Sequence, residues 1–441
     1  MRLTGSGGGE INSAPRKNCV DAEAAKTMKT ADPDLMRAIN RFHVMDAIRR
    51  FGPLSRVEIS QFTELSSTTV SAITAALLDD RLIVPLQVGA VRDAGRGRPR
   101  VMLKLNPDAA HVVGVKLAPD QITVAVTNFC ADVLRTLSLP IRVDRHRANV
   151  IADLVEDGVR RCVSDAELEM SDISGVCVGL PGIVERAAGI CRQSPIFGER
   201  DVPFGEDLAR RLGVPASIDS DVNLVALAEH WFGQARELNG FLVVSVDRSV
   251  GLSILHNGEL FRGANGLSPD LGDLMVRPPR NGGGRLCGVA SEDAVVAEAE
   301  VLLRGRGCDA AFRTGRGMAL VLQRAAGGDP QCVELLAAAA EALGLAIANL
   351  ITLFAPPKVI ISGRAMAMSE HFIGPLRQTV AALLPSSLAD VSDIVVKEWS
   401  DGAWVRGAAA MTLRELYGAP WGTTGPAPTR EPQAFNIGSS Q

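Results

Sequence analysis

The sequence predicts a mixed α/β protein in which a winged helix-turn-helix precedes two units of alternating strands and helices. Two observations indicate the first part: consecutive N-cap signals introduce short amphipathic helices, and two apolar strands flank a basic, glycine-containing loop. A third observation indicates the two α/β units: from residue 111 onward, apolar runs of strand length alternate with segments of helical periodicity. A chain of 441 residues, 46% of them hydrophobic, is long enough for two or three domains with separate cores.

Composition and periodicity divide the chain into five segments. We expect a disordered leader over residues 1–30 and a disordered tail over residues 418–441, because both are rich in glycine and small or polar residues. Three folded segments lie between them: the winged unit at 31–106, a first α/β unit at 107–230 and a second at 231–417.

The helix-turn-helix is predicted from two capping signals. Ser55 and Glu58 have the spacing of a capping box, which predicts a helix over residues 55–62. Ser66 is a second N-cap, and the helix after it carries an apolar stripe of Val70, Ile73 and Leu77. The opposite face carries short hydroxyl side chains, namely Ser67, Thr68, Ser71 and Thr74. Because such hydroxyls can reach phosphates or base edges from a major groove, we predict DNA contacts from Ser67, Thr68, Thr69 and Ser71.

The loop at residues 92–100 is predicted to be a wing with a basic tip. It contains Gly-Arg-Gly-Arg-Pro, in which glycine permits close backbone approach and arginine suits the negative potential of a narrow minor groove. Residues 34–105 hold 11 Lys+Arg and 7 Asp+Glu, a net charge of +4, whereas the whole chain has −4. The alternative is a solvated basic linker. The DNA contacts predicted here are Arg96, Gly97, Arg98 and Arg100.

Several classes of protein are disfavoured by composition. The eight cysteines include no Cys-x-x-Cys pair and several lie in apolar runs, which is typical of free thiols in a reducing cytoplasm. No uninterrupted apolar run of about 18 residues and no apolar signal core is present, which argues against a membrane span or secretion. Aromatic residues make up only 4% of the chain, too few for the stacking platforms that bind single-stranded nucleic acid.

Five motifs, together with the winged unit and in this order, resemble the ROK family (repressors, open reading frames and sugar kinases). They are the Arg-Gly-Arg-Pro wing, a strand pair opening near Gly114, and the segments at residues 179–182, 219–223 and 258–266. The resemblance covers roughly residues 34–417. It implies an actin-like, two-lobed fold of the sugar-kinase type behind a DNA-binding domain, with sugar bound in the cleft between the lobes.

The loops that would bind ATP depart from the pattern of the family's kinases. Kinase members open with Asp-x-Gly-Gly-Thr, but residues 116–120 read Lys-Leu-Ala-Pro-Asp. A Gly-Thr-Gly-Ile-Gly loop corresponds to residues 247–251, where only Gly251 matches, and a Gly-Gly pair is half retained at Gly363. Phosphate binding needs glycines and free amides, and a carboxylate in either loop repels a triphosphate. We therefore expect no cofactor, no catalytic residue and no enzymatic activity.

The residues that match the family's sugar-binding positions are better retained than the ATP-binding loops. Asp221 matches the family's catalytic base, and without ATP its carboxylate can still accept a hydrogen bond from a sugar hydroxyl. Asp270 stands where the family has a sugar-binding glutamate, and Asp273 where it has a histidine that contacts both sugar and zinc. The alternative for these acids is a role in helix caps or loops. The predicted ligand-binding set is Asp221, Asn223, Ser220, Asp270, Asp273 and Gly182.

Two further departures from the family pattern concern zinc and sugar. Many members hold zinc with Cys-x-Cys-Gly-x-x-Gly-Cys and the histidine, but residues 282–288 contain one cysteine, Cys287, so no metal site is expected. Ser220 and Ile196 stand where the family has sugar-binding asparagines. The family's common hexose specificity is therefore not predicted for this chain.

Together these features predict a cytoplasmic, ligand-responsive transcriptional repressor of carbohydrate genes. Its expected partners are a double-stranded DNA operator and a sugar-like effector, without a membrane. We expect a homodimer or a dimer of dimers, because one winged unit buries little surface and palindromic half-sites match a two-fold axis. The alternative is an ATP-dependent sugar kinase with an attached DNA-binding domain.

Overall fold

The structure, a computed structural model, describes residues 33–86, 101–141, 146–263, 266–280, 283–306, 308–364, 366–398 and 401–418. These residues form an N-terminal winged unit and two α/β lobes. The predicted leader, the basic tip of the predicted wing and nearly all of the predicted tail lie outside the described residues.

The N-terminal unit contains three helices and a three-stranded antiparallel sheet of order β1-β3-β2. Its elements are α1 (Pro33–Phe51), β1 (Leu54–Ser55), α2 (Arg56–Thr63), α3 (Ser67–Asp79), β2 (Ile83–Leu86) and β3 (Met102–Leu105). The predicted capping box is present: the Ser55 amide donates to Glu58 Oε2 at 2.7 Å, and the Glu58 amide donates to Ser55 Oγ at 3.4 Å. Glu64, with φ 56°, then ends α2 and turns the chain toward α3.

One face of α3 packs on α1 and α2, and the other is exposed. Val70 and Leu77 are fully buried, as predicted. Thr74 is also fully buried; its hydroxyl donates to the Val70 carbonyl at 2.8 Å and accepts from Arg56 Nε at 2.9 Å. The prediction that Thr74 lies on the polar face is therefore wrong, because its hydroxyl is satisfied inside the unit.

Lobe 1 is built on a five-stranded sheet of order β10-β7-β4-β5-β6. Its elements are, in chain order, β4 (His111–Ala118), β5 (Gln121–Thr127), β6 (Val133–Pro140), α4 (Ala148–Asp165), β7 (Ile173–Leu180), β8 (Ile183–Glu185), β9 (Ile190–Gln193), α5 (Phe204–Leu212), β10 (Ala216–Ser220) and α6 (Asp221–Phe232). The predicted hairpin of β4 and β5 is confirmed by their antiparallel pairing.

Lobe 2 has a second five-stranded sheet, of order β13-β12-β11-β16-β17. Its strands are β11 (Phe241–Val246), β12 (Val250–His256), β13 (Glu259–Leu260), the small pair β14 (Met275–Arg280) and β15 (Gly283–Arg285), β16 (Lys358–Gly363) and β17 (Asp393–Glu398). The helices after β15 are α7 (Cys287–Ala290), α8 (Glu292–Leu302), α9 (Asp309–Arg313), α10 (Gly317–Ala326), α11 (Pro330–Phe354), α12 (Glu370–Leu383) and α13 (Asp401–Leu416).

Both lobes repeat one strand topology. Each starts with a three-stranded antiparallel meander and adds two parallel strands beside its first strand. The carboxyl ends of these parallel strands therefore share one edge in each lobe. Loops leaving those edges face the same space between the lobes, which is where ligands bind in open α/β sheets.

The C-terminal helix α13 returns to lobe 1. A Cβ built on Gly114 of β4 would lie 2.8 Å from the Val405 carbonyl oxygen, and one on Gly175 of β7 would lie 2.9 Å from the Thr412 methyl. The predicted boundary at residue 231 assigned this helix to the second unit. The structure differs because glycines on the lobe 1 sheet let α13 pack closely there.

Helix α11 meets the length and composition of a membrane-crossing helix, and it does so alone among the described helices. Of its most apolar 18-residue window, 61% is buried. Its buried residues belong to the lobe 2 core, where α11 packs on α12. A core helix of a water-soluble protein has the same properties.

Candidate functional site

A cavity of about 870 Å³ lies between the lobes. Lobe 1 contributes residues that follow β4, β7 and β10, and lobe 2 contributes residues that follow β11 and β16. Polar lining residues include Lys116, Asp120, Ser194, Ser220, Asp221, Asp247, Arg248, Asp270, Asp273 and Arg364. A polar concave site of this size, placed where the sheets end, suits a small hydroxylated ligand.

One wall of the cavity depends on glycine at position 182. Gly182 has φ +122°, a backbone conformation that L side chains rarely adopt. A Cβ here would lie 2.1 Å from the Gln193 carbonyl oxygen. The turn after β7 therefore requires glycine, and it lets the Gln193–Ser194 segment lie against the cavity.

Asp221 occupies the junction between strand and helix in the cavity wall. It is the first residue of α6, and its Oδ1 accepts a hydrogen bond from the Val222 amide at 2.8 Å. Burial raises the pKa of Asp221 to about 6, and the charge of Asp247 adds to the effect while Lys116 opposes it. The carboxylate is thus mostly ionised at neutral pH and can accept a hydrogen bond from a ligand hydroxyl.

Ser220 and Asn223, both predicted to bind ligand, differ in position. Ser220 lines the cavity and is 4% exposed. Asn223 is fully buried behind it; its Nδ2 donates to Asp219 Oδ1 at 2.8 Å and to Ser268 Oγ at 3.1 Å. Asn223 is not among the lining residues, so the structure does not place its side chain where the predicted direct contact requires it.

A buried ion-pair network supports the cavity floor. Asp219 is fully buried and pairs with Arg262 and, at 3.6 Å, with Arg186. Burial opposes ionisation of this carboxyl, but the two guanidinium groups outweigh it and hold the pKa of Asp219 below its ordinary value. Arg186 also pairs with Glu415, just after the buried part of α13. Sequence reasoning missed this network, because its members lie far apart in the chain.

Asp270 and Asp273 both line the cavity from lobe 2. The Asp273 amide donates to Asp270 Oδ1 at 3.3 Å, and Arg285 Nη1 lies 3.0 Å from Asp273 Oδ1. Burial, together with the charge of Asp273, raises the pKa of Asp270. Both acids are exposed at the cavity surface, and Asp273 is already paired with Arg285.

One part of the cavity, lined by Asp120, Asp247 and Arg364, holds an internal ion pair. Arg364 Nε lies 3.2 Å from Asp247 Oδ2, and its Nη1 lies 3.7 Å from Asp120 Oδ2. Asp120 belongs to lobe 1 and Asp247 to lobe 2, so Arg364 bridges the cleft. The Asp247 amide donates to the Ser249 carbonyl at 3.0 Å and is not free to bind a phosphate oxygen. Sequence reasoning singled out these residues but not their pairing.

The residues in the region of the family's zinc site do not fit zinc. Cys287 is the first residue of α7, and Asp273, which replaces the histidine, is paired with Arg285. Within the part of the chain that the structure describes, no group of three or more His, Cys, Asp or Glu side chains could hold a metal ion.

Three of the four predicted DNA contacts on α3 lie on its accessible face. Ser67, Thr68 and Ser71 are exposed, and Ala72 and Ala75, which the prediction omitted, extend the same surface. Thr69 is half-buried, and its Oγ1 lies 2.8 Å from Ser66 Oγ, so it takes part in the helix cap. The predicted wing contacts lie outside the described residues: Arg96, Gly97, Arg98 and Arg100.

The repeated lobes, the interlobe cavity and the order of the motifs define a two-lobed protein of the sugar-kinase type with an N-terminal winged unit. Residues 112–415 match the model of the ROK family, and the chain belongs to that family. The xylose repressor of Caldicellulosiruptor bescii is 27% identical over 401 residues, which cover 88% of this chain and 98% of that protein. The N-acetylglucosamine repressor of Escherichia coli O6:H1 is 25% identical over 338 residues, 75% of this chain and 81% of that protein.

Solved structures show the same fold. A ROK family transcriptional regulator described as a homologue of the E. coli Mlc protein aligns with a TM-score of 0.72 and 24% identity. The alignment covers 87% of this chain and 98% of that one.

Proposed function

We propose that this chain is a cytoplasmic transcriptional repressor of carbohydrate genes, which binds an operator through its winged unit and releases it when a sugar occupies the interlobe cavity. The observation that carries the proposal is that one chain joins a winged helix-turn-helix to a cavity with an ionised, inward-facing carboxylate at Asp221. The relatives named as xylose and N-acetylglucosamine repressors support it. We propose a homodimer or dimer of dimers, since paired winged units match palindromic operators.

In this proposal the sugar lies in the half of the cavity nearest Gly182 and Asp221. Asp221 and Asp270 accept hydrogen bonds from sugar hydroxyls. Ser194 and Ser220 line the same cavity and add weaker contacts. Asn223 holds Asp219, and through it the strand end that carries Ser220. Charged acceptors favour this arrangement, because a hydrogen bond to a carboxylate contributes about 1.5 to 3 kcal/mol.

We further propose that the chain does not transfer phosphate. Arg364, Asp120 and Asp247 fill the place where a kinase would hold triphosphate, and a bound nucleotide would have to break this pair and face both carboxylates. The alternative, an ATP-dependent sugar kinase, is favoured by one feature: a pKa of about 6 at Asp221 suits a general base.

An operator-release assay tests the proposal. The DNA is a duplex selected from random sequences by the protein itself, and the probes are D-xylose, N-acetylglucosamine and D-glucose. We expect one of these sugars to weaken operator binding at least tenfold. Asp221→Asn should bind the same operator with unchanged affinity but need roughly 10 to 100 times more sugar for release. Asp157→Asn, which removes an exposed surface pair on α4, is the matched control and should behave as the unmodified protein.

Two results would contradict the proposal. One is an operator affinity that none of the three sugars changes. The other is sugar-dependent ATP turnover that disappears in Asp221→Asn, which would establish the kinase instead.

A further inference from the structure

Helix α6 runs from the interlobe cavity to the winged unit. Its first residue, Asp221, lines the cavity, and its last turn contains Trp231. The helix has 12 residues and thus a length of about 18 Å. Every residue from Val222 to Trp231 is buried. Because close-packed interiors deform little, a helix enclosed in this way moves as one body.

The last turn of α6 contacts α1 of the winged unit through Arg49, Trp231 and Tyr417, called the Arg49–Trp231–Tyr417 stack below. Arg49 Cζ lies 4.1 Å from the centroid of the Trp231 ring, and Arg49 Nη1 donates to the Trp231 carbonyl at 3.3 Å. The Trp231 ring also stacks on Tyr417, with centroids 5.5 Å apart and planes at 10°. The Tyr417 hydroxyl donates to the Phe129 carbonyl at 2.7 Å, which anchors the stack to lobe 1.

Neighbouring charges hold Arg49 in this position. Asp46 pairs with Arg49 at 2.6 Å and with Arg50 at 2.7 Å, and the Arg49 side chain is only 5% exposed. Arg50 Nη2 lies 3.4 Å from His230 Nε2. Since arginine can only donate, His230 accepts here as a neutral ring; its pKa is lowered to about 3 by burial and by the two arginines. Both arginines in the last turn of α1 therefore bind the end of α6.

The same end of α6 is also held by lobe 2. Glu229, buried in the last turn but one, pairs with Lys397 of β17. Along its length α6 crosses α13, whose Arg414 pairs with Glu259 of β13. Because both lobes hold this end of α6, a change in the angle between them would displace the last turn of α6. The Arg49–Trp231–Tyr417 stack, which contacts α1, would move with it.

We propose that the Arg49–Trp231–Tyr417 stack is the contact through which occupancy of the cavity changes the orientation of the winged unit. Arg49 and Trp231 are positioning residues in this scheme; they contact neither the ligand nor, from their buried location, the operator. This inference rests on the proposed function and adds the route of coupling. It predicts that coupling can be removed while both binding activities remain.

Arg49→Ala in the full chain tests the route. The operator is the duplex selected by the unmodified protein, and the probes are D-xylose, N-acetylglucosamine and D-glucose. We expect operator affinity without sugar, and sugar affinity without operator, to stay within threefold of the unmodified protein. The factor by which sugar weakens operator binding should fall at least tenfold. Because coupling is reciprocal, the factor by which operator weakens sugar binding should fall equally.

Arg37→Ala is the matched control, since Arg37 lies on the same helix with a side chain 79% exposed and paired only with Asp34 in the described contacts. It should keep full coupling. Arg49→Lys keeps the charge beside Asp46 but lacks the planar group over Trp231. In this variant the factor by which sugar weakens operator binding should fall more than threefold. If Arg49→Ala does not fold, Arg49→Lys alone tests the inference.

Three results would overturn the inference. Full coupling in Arg49→Lys and Arg49→Ala would place the route elsewhere. Loss of operator binding without sugar in a variant with the circular dichroism of the unmodified protein would make Arg49 part of the DNA-binding surface or its support. An unmodified protein whose operator affinity responds to none of the three sugars would overturn the proposed function, and this inference with it.

Discussion

At the scale of single residues, Asp221 illustrates how position determines chemistry. Its place at the start of α6 provides a backbone amide that favours the ionised carboxylate, while enclosure in the cavity wall disfavours it. The balance leaves the pKa of Asp221 at about 6, above the pKa of an ordinary aspartate. A carboxylate of this kind is a charged hydrogen-bond acceptor at neutral pH and becomes a weaker, neutral acceptor in mild acid.

This gives a prediction for the pH dependence of sugar binding. Because the pKa of Asp221 is raised, this residue becomes protonated as the pH is lowered from 7 to 5, a range in which ordinary aspartates stay ionised. Sugar affinity should be level above pH 7 and about tenfold weaker at pH 5, if the ionised form binds. Calorimetric titration at several pH values measures this. Asp221→Asn should show no such fall.

Glu292 provides the control for that experiment. Burial, with the charge of Asp247, raises its pKa to about 7, and its Oε1 accepts from the Met366 amide at 3.3 Å rather than lining the cavity. Glu292→Gln should therefore keep the loss of affinity toward pH 5. If that loss vanished in Glu292→Gln and persisted in Asp221→Asn, Glu292 would be the titrating group.

At the scale of elements, the pair α6 and α13 depends on one close approach. A Cβ on Gly407 would lie 1.9 Å from the Leu224 carbonyl oxygen, so any larger residue must push the helices apart. We expect Gly407→Ala to lower the free energy of unfolding by about 3 kcal/mol, measured in urea, because the buried backbone of α6 cannot yield.

The same helix offers a matched substitution. Gly402 is exposed, and a Cβ built on it would meet no atom within 4 Å. Gly402→Ala should leave stability unchanged or raise it by up to about 1 kcal/mol through helix propensity. Equal urea midpoints for the two variants would show that the α6–α13 crossing is looser than described.

At the scale of the whole molecule, the two lobes are joined across the cleft by Arg364. The side chains of Arg364 and Asp120 are 40% and 56% exposed, so their attraction is screened by water and contributes at most about 1 kcal/mol. Such a pair shifts the balance between open and closed lobes without locking it. The sugar half of the cavity remains accessible beside it.

Removing this pair should weaken sugar binding slightly. If the sugar binds the lobes in this arrangement, Asp120→Asn should lower its affinity by up to about fivefold at low ionic strength. The effect should shrink at 1 M salt, where exposed charges are screened. Fluorescence or calorimetric titration at both salt concentrations measures it. A tighter sugar complex in Asp120→Asn would mean that the pair instead holds the cavity closed against the sugar.

Features that depend on neighbours in sequence could be predicted from the sequence. The capping box at Ser55, the hairpin of β4 and β5, and the strand–helix junction at Asp221 all follow from residues within a few positions of each other. Hydrogen bonds of caps and turns are local, so the residue types alone determine them. The two-lobed fold was implied instead by the resemblance of the motifs, in their order, to the ROK family.

Features that depend on distant partners were decided only by the tertiary structure. Thr74 is buried because Arg56, 18 residues away, meets its hydroxyl, and Asn223 is withdrawn from the cavity by Ser268, 45 residues away. Arg49 meets the Trp231 carbonyl across 182 residues. A single sequence specifies which side chains can pair and which faces are apolar. Which of them meet is determined by packing of the whole chain, because burial leaves each polar group only the partners that its surroundings provide.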